Sequence, residues 1–358
     1  MVIALFGYSS SGKTTLLEIL SHKKSEIHRS MPETRMEIPR AICPVPDSRL
    51  DQLASIYPGK NKVPVQIEVE DFPGLAGSQI SASQYLSQLR KADGLIHVVR
   101  AFQDPALPHP RGKIDPAADI KAMSEELIFS DLVMVTQRLE KLEKDLKKVK
   151  DTETEKEKLL LEKLKPVLEQ GQAIRQVPLT PSEEKMLRGF CFISLKPILH
   201  IINLDEKDLA FLEHLRERYP AIDPNITLSS FCGRIEKELG ELEEEDRKIF
   251  MGTYGLEETA PVRFFRQIYE IMELVNFYTI GKDEVRAWSV KKNTPAVKAA
   301  GEIHSDLEKG FIRAEVIPLE ELLKFGSWQK AKEAGVLRLE GRDYPVQNGD
   351  VIYFRFSQ

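Results

Sequence analysis

The chain has 358 residues, 42% of them hydrophobic and 30% charged, with a formal net charge of −5. That length allows two or three domains, and the acidic balance excludes a globally basic nucleic-acid binder, so no DNA partner is expected. Cys43, Cys191 and Cys232 stand far apart without CxxC spacing, which excludes a zinc site or disulfide framework and fits a reducing, cytoplasmic location; no apolar run approaches the roughly 20 residues of a membrane span.

Val2–Phe6 is expected to form a buried parallel strand rather than a signal peptide, followed by a Gly/Ser turn and a helix from Lys13 to Ser21. The turn, Gly7-Tyr8-Ser9-Ser10-Ser11-Gly12-Lys13-Thr14, fits the phosphate-loop pattern GxxxxGK(S/T) in its strand–turn–helix setting. Glycines there let backbone N–H groups wrap a phosphate chain at a helix N-terminus. The candidate phosphate ligands are therefore Gly7, Ser9, Ser10, Ser11, Gly12, Lys13, Thr14 and Thr15. Lys13 is expected on the β- and γ-phosphates and Thr14 on Mg²⁺.

Residues 22–62 read as irregular and rich in proline, arginine and charge; within them Thr34 is the candidate switch ligand for Mg²⁺. Val65–Glu70 alternates as a strand and ends at Asp71-Phe72-Pro73-Gly74. Asp71 can reach Mg²⁺ through water there, and the Gly74 N–H can meet a γ-phosphate. Leu75 follows, where Ras-type enzymes carry a water-orienting glutamine. Hydrolysis then uses another residue or is slow, or Leu75 is simple core packing.

Gly94–Arg100 and Pro197–Asn203 are further apolar strands. Strands alternating with helical patterns imply an α/β fold with a doubly wound, mostly parallel sheet. An insertion interrupts it between residues 117 and 195. Leu132, Val135, Leu139, Leu142, Leu146 and Val149 form an a/d seam, and Leu160, Leu164 and Val167 restart it after the polar stretch Lys150–Glu157. The expectation is two antiparallel helices in a projecting coiled-coil arm. From Phe277, segments such as VRAWSV and DVIYFRF mark a separate β-rich domain. The expected division is residues 1–116 with 196–276 for the nucleotide domain, 117–195 for the arm and 277–358 for the last domain.

With these motifs in this order, the chain resembles the YchF family of Obg-like ATPases. Further stretches that carry the likeness are Pro44–Leu50 (PVPDSRL), Gly94–Asp104 (GLIHVVRAFQD), His109–Pro116 (HPRGKIDP), Asn203–Asp208 (NLDEKD) and Gly349–Phe356 (GDVIYFRF). The resemblance implies a P-loop G domain of the TRAFAC class, an inserted helical arm and a C-terminal β-grasp-like (TGS) α+β domain. It also implies Mg²⁺-dependent ATP hydrolysis and association with ribosomes and stress responses. A hydrophobe replaces the catalytic glutamine in that family, as Leu75 does here, and His109 falls on the family's candidate catalytic histidine in a mobile loop. Without the resemblance, a lone histidine in a proline-rich loop reads as solvated and inert. Ser9 and Ser10 stand where the family has Pro and Asn, so potassium stimulation is not expected.

Asn203-Leu204-Asp205-Glu206 stands where a GTPase has Asn-Lys-x-Asp. The Asp of that motif accepts from guanine N1–H and the 2-amino group, and adenine offers neither donor, so a site built around it discriminates by several kcal/mol. Glu206 is one methylene longer, and Leu204 lacks the lysine stem that would pack on the base. Asn203 remains able to meet the purine N7 or brace the phosphate loop. Glutamate at this place is also the family's own replacement, so ATP is expected over GTP, with Cys232 and Gly233 backing the base. Two function classes follow: a slow ATPase switch acting on a ribosome or other RNA–protein partner through the arm and TGS-type domain, or a nucleotide-binding interaction protein with little hydrolysis.

Overall fold

The computed structural model describes residues 1–21, 38–74, 81–148 and 151–357. Thr34, Leu75 and Val149 lie outside the described residues. The strands are β1 (Val2–Phe6), β2 (Arg40–Pro44), β3 (Asn61–Val63), β4 (Gln66–Asp71), β5 (Gly94–Arg100), β6 (Ile198–Asn203), β7 (Thr227–Phe231), β8 (Leu274–Ile280), β9 (Glu284–Lys291), β10 (Phe311–Pro318), β11 (Arg338–Glu340) and β12 (Asp350–Phe356). The helices used below are α1 (Lys13–Ser21), α2 (Ser48–Ser55), α3 (Ala82–Leu89), α4 (Pro116–Leu146) and α5 (Thr152–Glu169). The chain divides into two units, Met1–Ala41 with Glu68–Glu257, and Ile42–Ile67 with Glu258–Gln358.

The first unit is built on a sheet of order β2-β4-β1-β5-β6-β7. From β4 to β7 every pairing is parallel. Strands covered on both faces must be apolar nearly throughout, and GLIHVVR and ILHIIN are buried at every position. The polar exceptions are Arg100 and Asn203 at the strand ends and, inside the strands, His97 and His200, cross-strand partners whose Nδ1 atoms lie 3.1 Å apart. Burial lowers the pKa of both imidazoles. Register brings the strand ends into line: Leu5 pairs with Asp71, Arg100 with Asn203, and Asn203 with Phe231. The carboxyl edge of such a sheet is where ligands bind.

Helices α4 and α5 form the antiparallel arm. Asp115 caps α4 by accepting from Ala118 N, with Pro116 in the first turn, where its missing N–H leaves no bond unmade. Asp151 caps α5 by accepting from Thr154 N. Val135, Leu139 and Leu142 meet Leu160, Leu161, Leu164 and Leu168 in one buried cluster, and Arg138 holds Glu157 through two bonds of 2.6 and 2.8 Å. The seam does not run the whole of α4, however. Ile120, Met123 and Leu127 pack into the clusters on the parallel sheet. The first three turns of α4 therefore belong to the nucleotide-domain core, although sequence spacing places the arm from residue 117.

In the second unit the sheet runs β11-β10-β12-β8-β9-β3. One face carries a cluster that includes Phe277, Val290, Ala299, Val316 and Ile352. The other is covered by Leu50 and Leu53 of α2, packed with Tyr278, Val285, Ile317, Leu322 and Val351. Residues 47–63 thus pack with the C-terminal sheet, whereas their position in the sequence places them in the nucleotide domain. Two features hold them there. Strand β3 pairs parallel with β9, and Asp47 is an anchor with two partners, Asn276 and Tyr278, more than 200 positions away. Asp47 caps α2 by accepting from Arg49 N, and also accepts from Arg49 Nε at 3.2 Å, Asn276 Nδ2 at 2.9 Å and the Tyr278 hydroxyl at 2.6 Å.

Among the described residues no helix is long and apolar enough to cross a membrane. Burial pushes the Asp47 carboxyl up, but the bonds from Tyr278 and Asn276 and the charge of Arg49 outweigh it and hold the group below the usual range. Its stabilising contribution is therefore present above the ordinary carboxylate pKa and fades as pH falls through the depressed value. Asp47→Ala is expected to destabilise the second unit by about 3 kcal/mol at neutral pH, read as a lower urea midpoint, with a smaller difference in acid. An unchanged midpoint would remove the anchor role.

Candidate functional site

Backbone geometry dictates the glycines of the phosphate loop. Gly7 has φ +141°, and a Cβ there would lie 2.4 Å from the Val98 carbonyl oxygen. Gly12 has φ +100°, and its Cβ would lie 2.2 Å from Asn203 Nδ2. Between them Ser10 adopts φ +58°, a left-handed conformation that L residues other than Asn and Asp rarely take. The loop then closes into α1 through Leu16 N donating to Gly12 O at 2.9 Å, leaving the earlier N–H groups of the first turn outside the helical ladder.

Lys13 is buried, and its ammonium folds back onto the loop, donating to Tyr8 O at 2.8 Å and Gly7 O at 3.4 Å. Desolvation lowers its pKa to about 8, with Asp71 opposing. Thr14 Oγ1 donates to Asp71 Oδ2 at 2.5 Å, joining the loop to the end of β4. The turn after Asp71 lies directly against the loop: a Cβ on Gly74 would sit 2.2 Å from Ser9 Oγ and 2.5 Å from Ser9 N. Only glycine fits that approach.

At the far end of the site Asn203 is buried, and both ends of its amide are engaged. Nδ2 donates to Ser11 O at 3.0 Å, and Oδ1 accepts from Gly233 N at 3.0 Å. Of the two roles left open by the sequence, the geometry shows the brace. Gly233 is in turn wedged against Asn203 Oδ1 and Thr15 Cγ2, each 3.3 Å from where its Cβ would be. Leu204 is buried with Val99, Ile202 and Leu215, and Glu206 Oε2 lies 3.6 Å from Arg234 Nη1.

These elements enclose a cavity of about 610 Å³ lined by Ser10, Gly12, Lys13, Thr14, Thr15, Asn203, Leu204, Glu206, Cys232 and Gly233, all expected from sequence. Gly7, Ser9, Ser11, Asp71 and Gly74 stand behind the lining and shape it. The cavity also uses residues given no role from sequence: Phe102, Gln103, Asp104, Leu107, Arg234 and Lys237. Arg234 and Lys237 lie on the helix Gly233–Glu241, and the loop that carries the other four is organised by Arg100, buried at the end of β5, which donates to Phe102 O at 3.1 Å, Leu107 O at 2.8 Å and Asp104 O at 3.3 Å. An arginine closing a strand at the sheet's carboxyl edge was the available signal.

His109 is neither solvated nor part of the cavity lining. Its side chain is 3% exposed, with Nε2 3.0 Å from Asp119 Oδ2 and its ring edge-on to Tyr8 at 5.7 Å. Because the Lys13 ammonium titrates near pH 8 and must be charged to hold phosphates, nucleoside-triphosphate affinity is expected to weaken as pH rises from 7 to 9.5. Calorimetric titration checks this, and a constant affinity would contradict the burial argument.

Comparison with known proteins agrees with this geometry. Residues 2–163 match a family described as "50S ribosome-binding GTPase". Residues 274–357 match the YchF-GTPase_C family, described as "Protein of unknown function (DUF933)". The chain is 37% identical to the "Ribosome-binding ATPase YchF" of Haemophilus ducreyi, over 99% of this chain and 98% of the relative. It is 32% identical to "Obg-like ATPase 1" of Caenorhabditis elegans, over 99% and 92%. The solved structure of the Schizosaccharomyces pombe YchF GTPase superposes with a TM-score of 0.85 at 26% identity, covering 99% of this chain and 97% of that one. Full-length identity at this level, a phosphate loop under a parallel sheet and the matching C-terminal region place the chain in the YchF family.

Proposed function

We propose that this protein is a cytoplasmic ATPase that works as a nucleotide-dependent switch on the ribosome. The observation that carries the reading is the convergence of Lys13, Thr14 and Asp71 on one phosphate loop, with the altered base motif at the other end of the same cavity. The ribosome enters through the relatives, named "Ribosome-binding ATPase", and the arm and the TGS-type domain are the elements proposed to meet it.

The donor set fits Mg²⁺, since the Thr14 hydroxyl and Asp71 carboxylate are hard oxygens. Thr14 and Asp71 would hold such an ion, which would supply positive charge to offset the negative charge of the phosphates. The chain's own residues supply the rest. Lys13 exchanges its bonds to Tyr8 O and Gly7 O for phosphate oxygens. The close packing of Gly74 on Ser9 makes the turn after Asp71 sensitive to anything that displaces the loop. In hydrolysis a water oxygen bonds to the γ-phosphorus as the bond to the ADP oxygen breaks, and His109 is the proposed acceptor of the water's proton. Leu75 provides no such group. Thr34 is proposed as a further Mg²⁺ ligand.

At the base end, adenine is favoured for two reasons. Leu204 presents no donor or acceptor side chain. Glu206, drawn towards Arg234, does not reproduce the short carboxylate that reads guanine. Competition of ATP against GTP is expected to favour ATP in the wild type, and Leu204→Lys with Glu206→Asp to shift the ratio towards GTP by on the order of tenfold. Equal binding of both nucleotides by the wild type would defeat the base assignment.

A further inference from the structure

His109 sits in a built socket. Its imidazole Nε2 lies 3.0 Å from Asp119 Oδ2, and both side chains are 3% exposed. Nδ1 accepts from the backbone N–H of Arg111 at 3.3 Å. The Arg111 guanidinium then closes the ring of contacts, reaching Asp119 Oδ1 at 3.3 Å and Ala118 O at 2.7 Å. Asp119 itself is in the first turn of α4, the helix that continues into the arm. On the opposite side the His109 ring touches Tyr8, the residue whose carbonyl holds Lys13. A buried carboxylate held against a histidine and an arginine is costly to leave unpaired, so this arrangement is a specific one.

His109 does not line the nucleotide cavity. We propose that Asp119 is a positioning residue: with Arg111 it clasps His109 in a resting place outside the cavity, and the clasp must open before the imidazole can serve hydrolysis. The proposal rests on the reading of His109 as the hydrolytic residue. Two elements meet at the clasp, the phosphate loop through Tyr8 and the arm through the first turn of α4. A change at either, a phosphate drawing Lys13 off Tyr8 or a load on the arm helix, bears on the same contacts.

The test is single-turnover ATP cleavage with ATP affinity measured alongside. Asp119→Asn keeps the shape but weakens the grip. Arg111→Ala, at a side chain 39% exposed, loosens the loop with little risk to folding. Both are expected to cleave faster than the wild type by on the order of fivefold or more at unchanged ATP affinity, and the acceleration should vanish when either is combined with His109→Ala. His109→Ala alone is expected to be slower by about a hundredfold; a wild-type rate there would sink the hydrolytic role of His109 itself. Modification of His109 by diethyl pyrocarbonate, mapped by peptide mass, gives a readout independent of activity: protected in the wild type and reactive in Asp119→Asn. Equal reactivity in the two, or both clasp variants cleaving at or below the wild-type rate, or acceleration that survives His109→Ala, would overturn the clasp.

Discussion

The buried amide of Asn203 is the interaction on which the nucleotide site depends. It ties the carbonyl of Ser11 to the N–H of Gly233, and so holds the phosphate loop, the end of β6 and the turn after β7 in one frame. The frame leaves no room for error, since a methyl group on Gly12 would collide with that amide. Losing a buried donor and acceptor together costs on the order of 2–5 kcal/mol. The consequence for specificity is direct. An asparagine held at both ends by the scaffold has its orientation fixed before any base arrives, and N7 is common to both purines, so discrimination falls to Leu204, Glu206 and the loop that Arg100 organises.

The same site stands between two names used for its relatives. The family matched by residues 2–163 and the fission-yeast structure are called GTPases, while the bacterial and nematode relatives are called ATPases. A shared phosphate loop explains why one fold carries both: phosphates are gripped by backbone, lysine and hydroxyl regardless of the base. The base is decided at the carboxyl end of β6, and there this chain lacks both the lysine and the short carboxylate of a guanine reader.

Local signals were legible in the sequence. The phosphate loop, the Asp71-Phe72-Pro73-Gly74 turn and the helical seam of the arm each lie within one stretch of chain, where a motif or period of 3.5 suffices. Contacts made across the fold were not. Nothing near Asp47 announces that it is held by Asn276 and Tyr278, so the sequence alone places residues 47–63 with the nucleotide domain although they pack on the C-terminal sheet. The first turns of α4 keep the spacing of the arm yet pack on the sheet, because periodicity says which face is apolar and not what covers it. His109 looked solvated for the same reason: its socket is made by Asp119, ten positions on but brought back by the start of a helix. Arg100 and Phe102 were visible only as part of a familiar stretch, with no role attached.

A structure of the wild-type protein bound to Mg²⁺ and a non-hydrolysable ATP analogue tests the central claim most directly. The account predicts that Lys13 Nζ leaves Tyr8 O for the β- and γ-phosphates while Asn203 keeps its bonds to Ser11 and Gly233, with adenine lying beside Leu204. A base hydrogen-bonded by Asn203, with the brace broken to release it, would contradict the account.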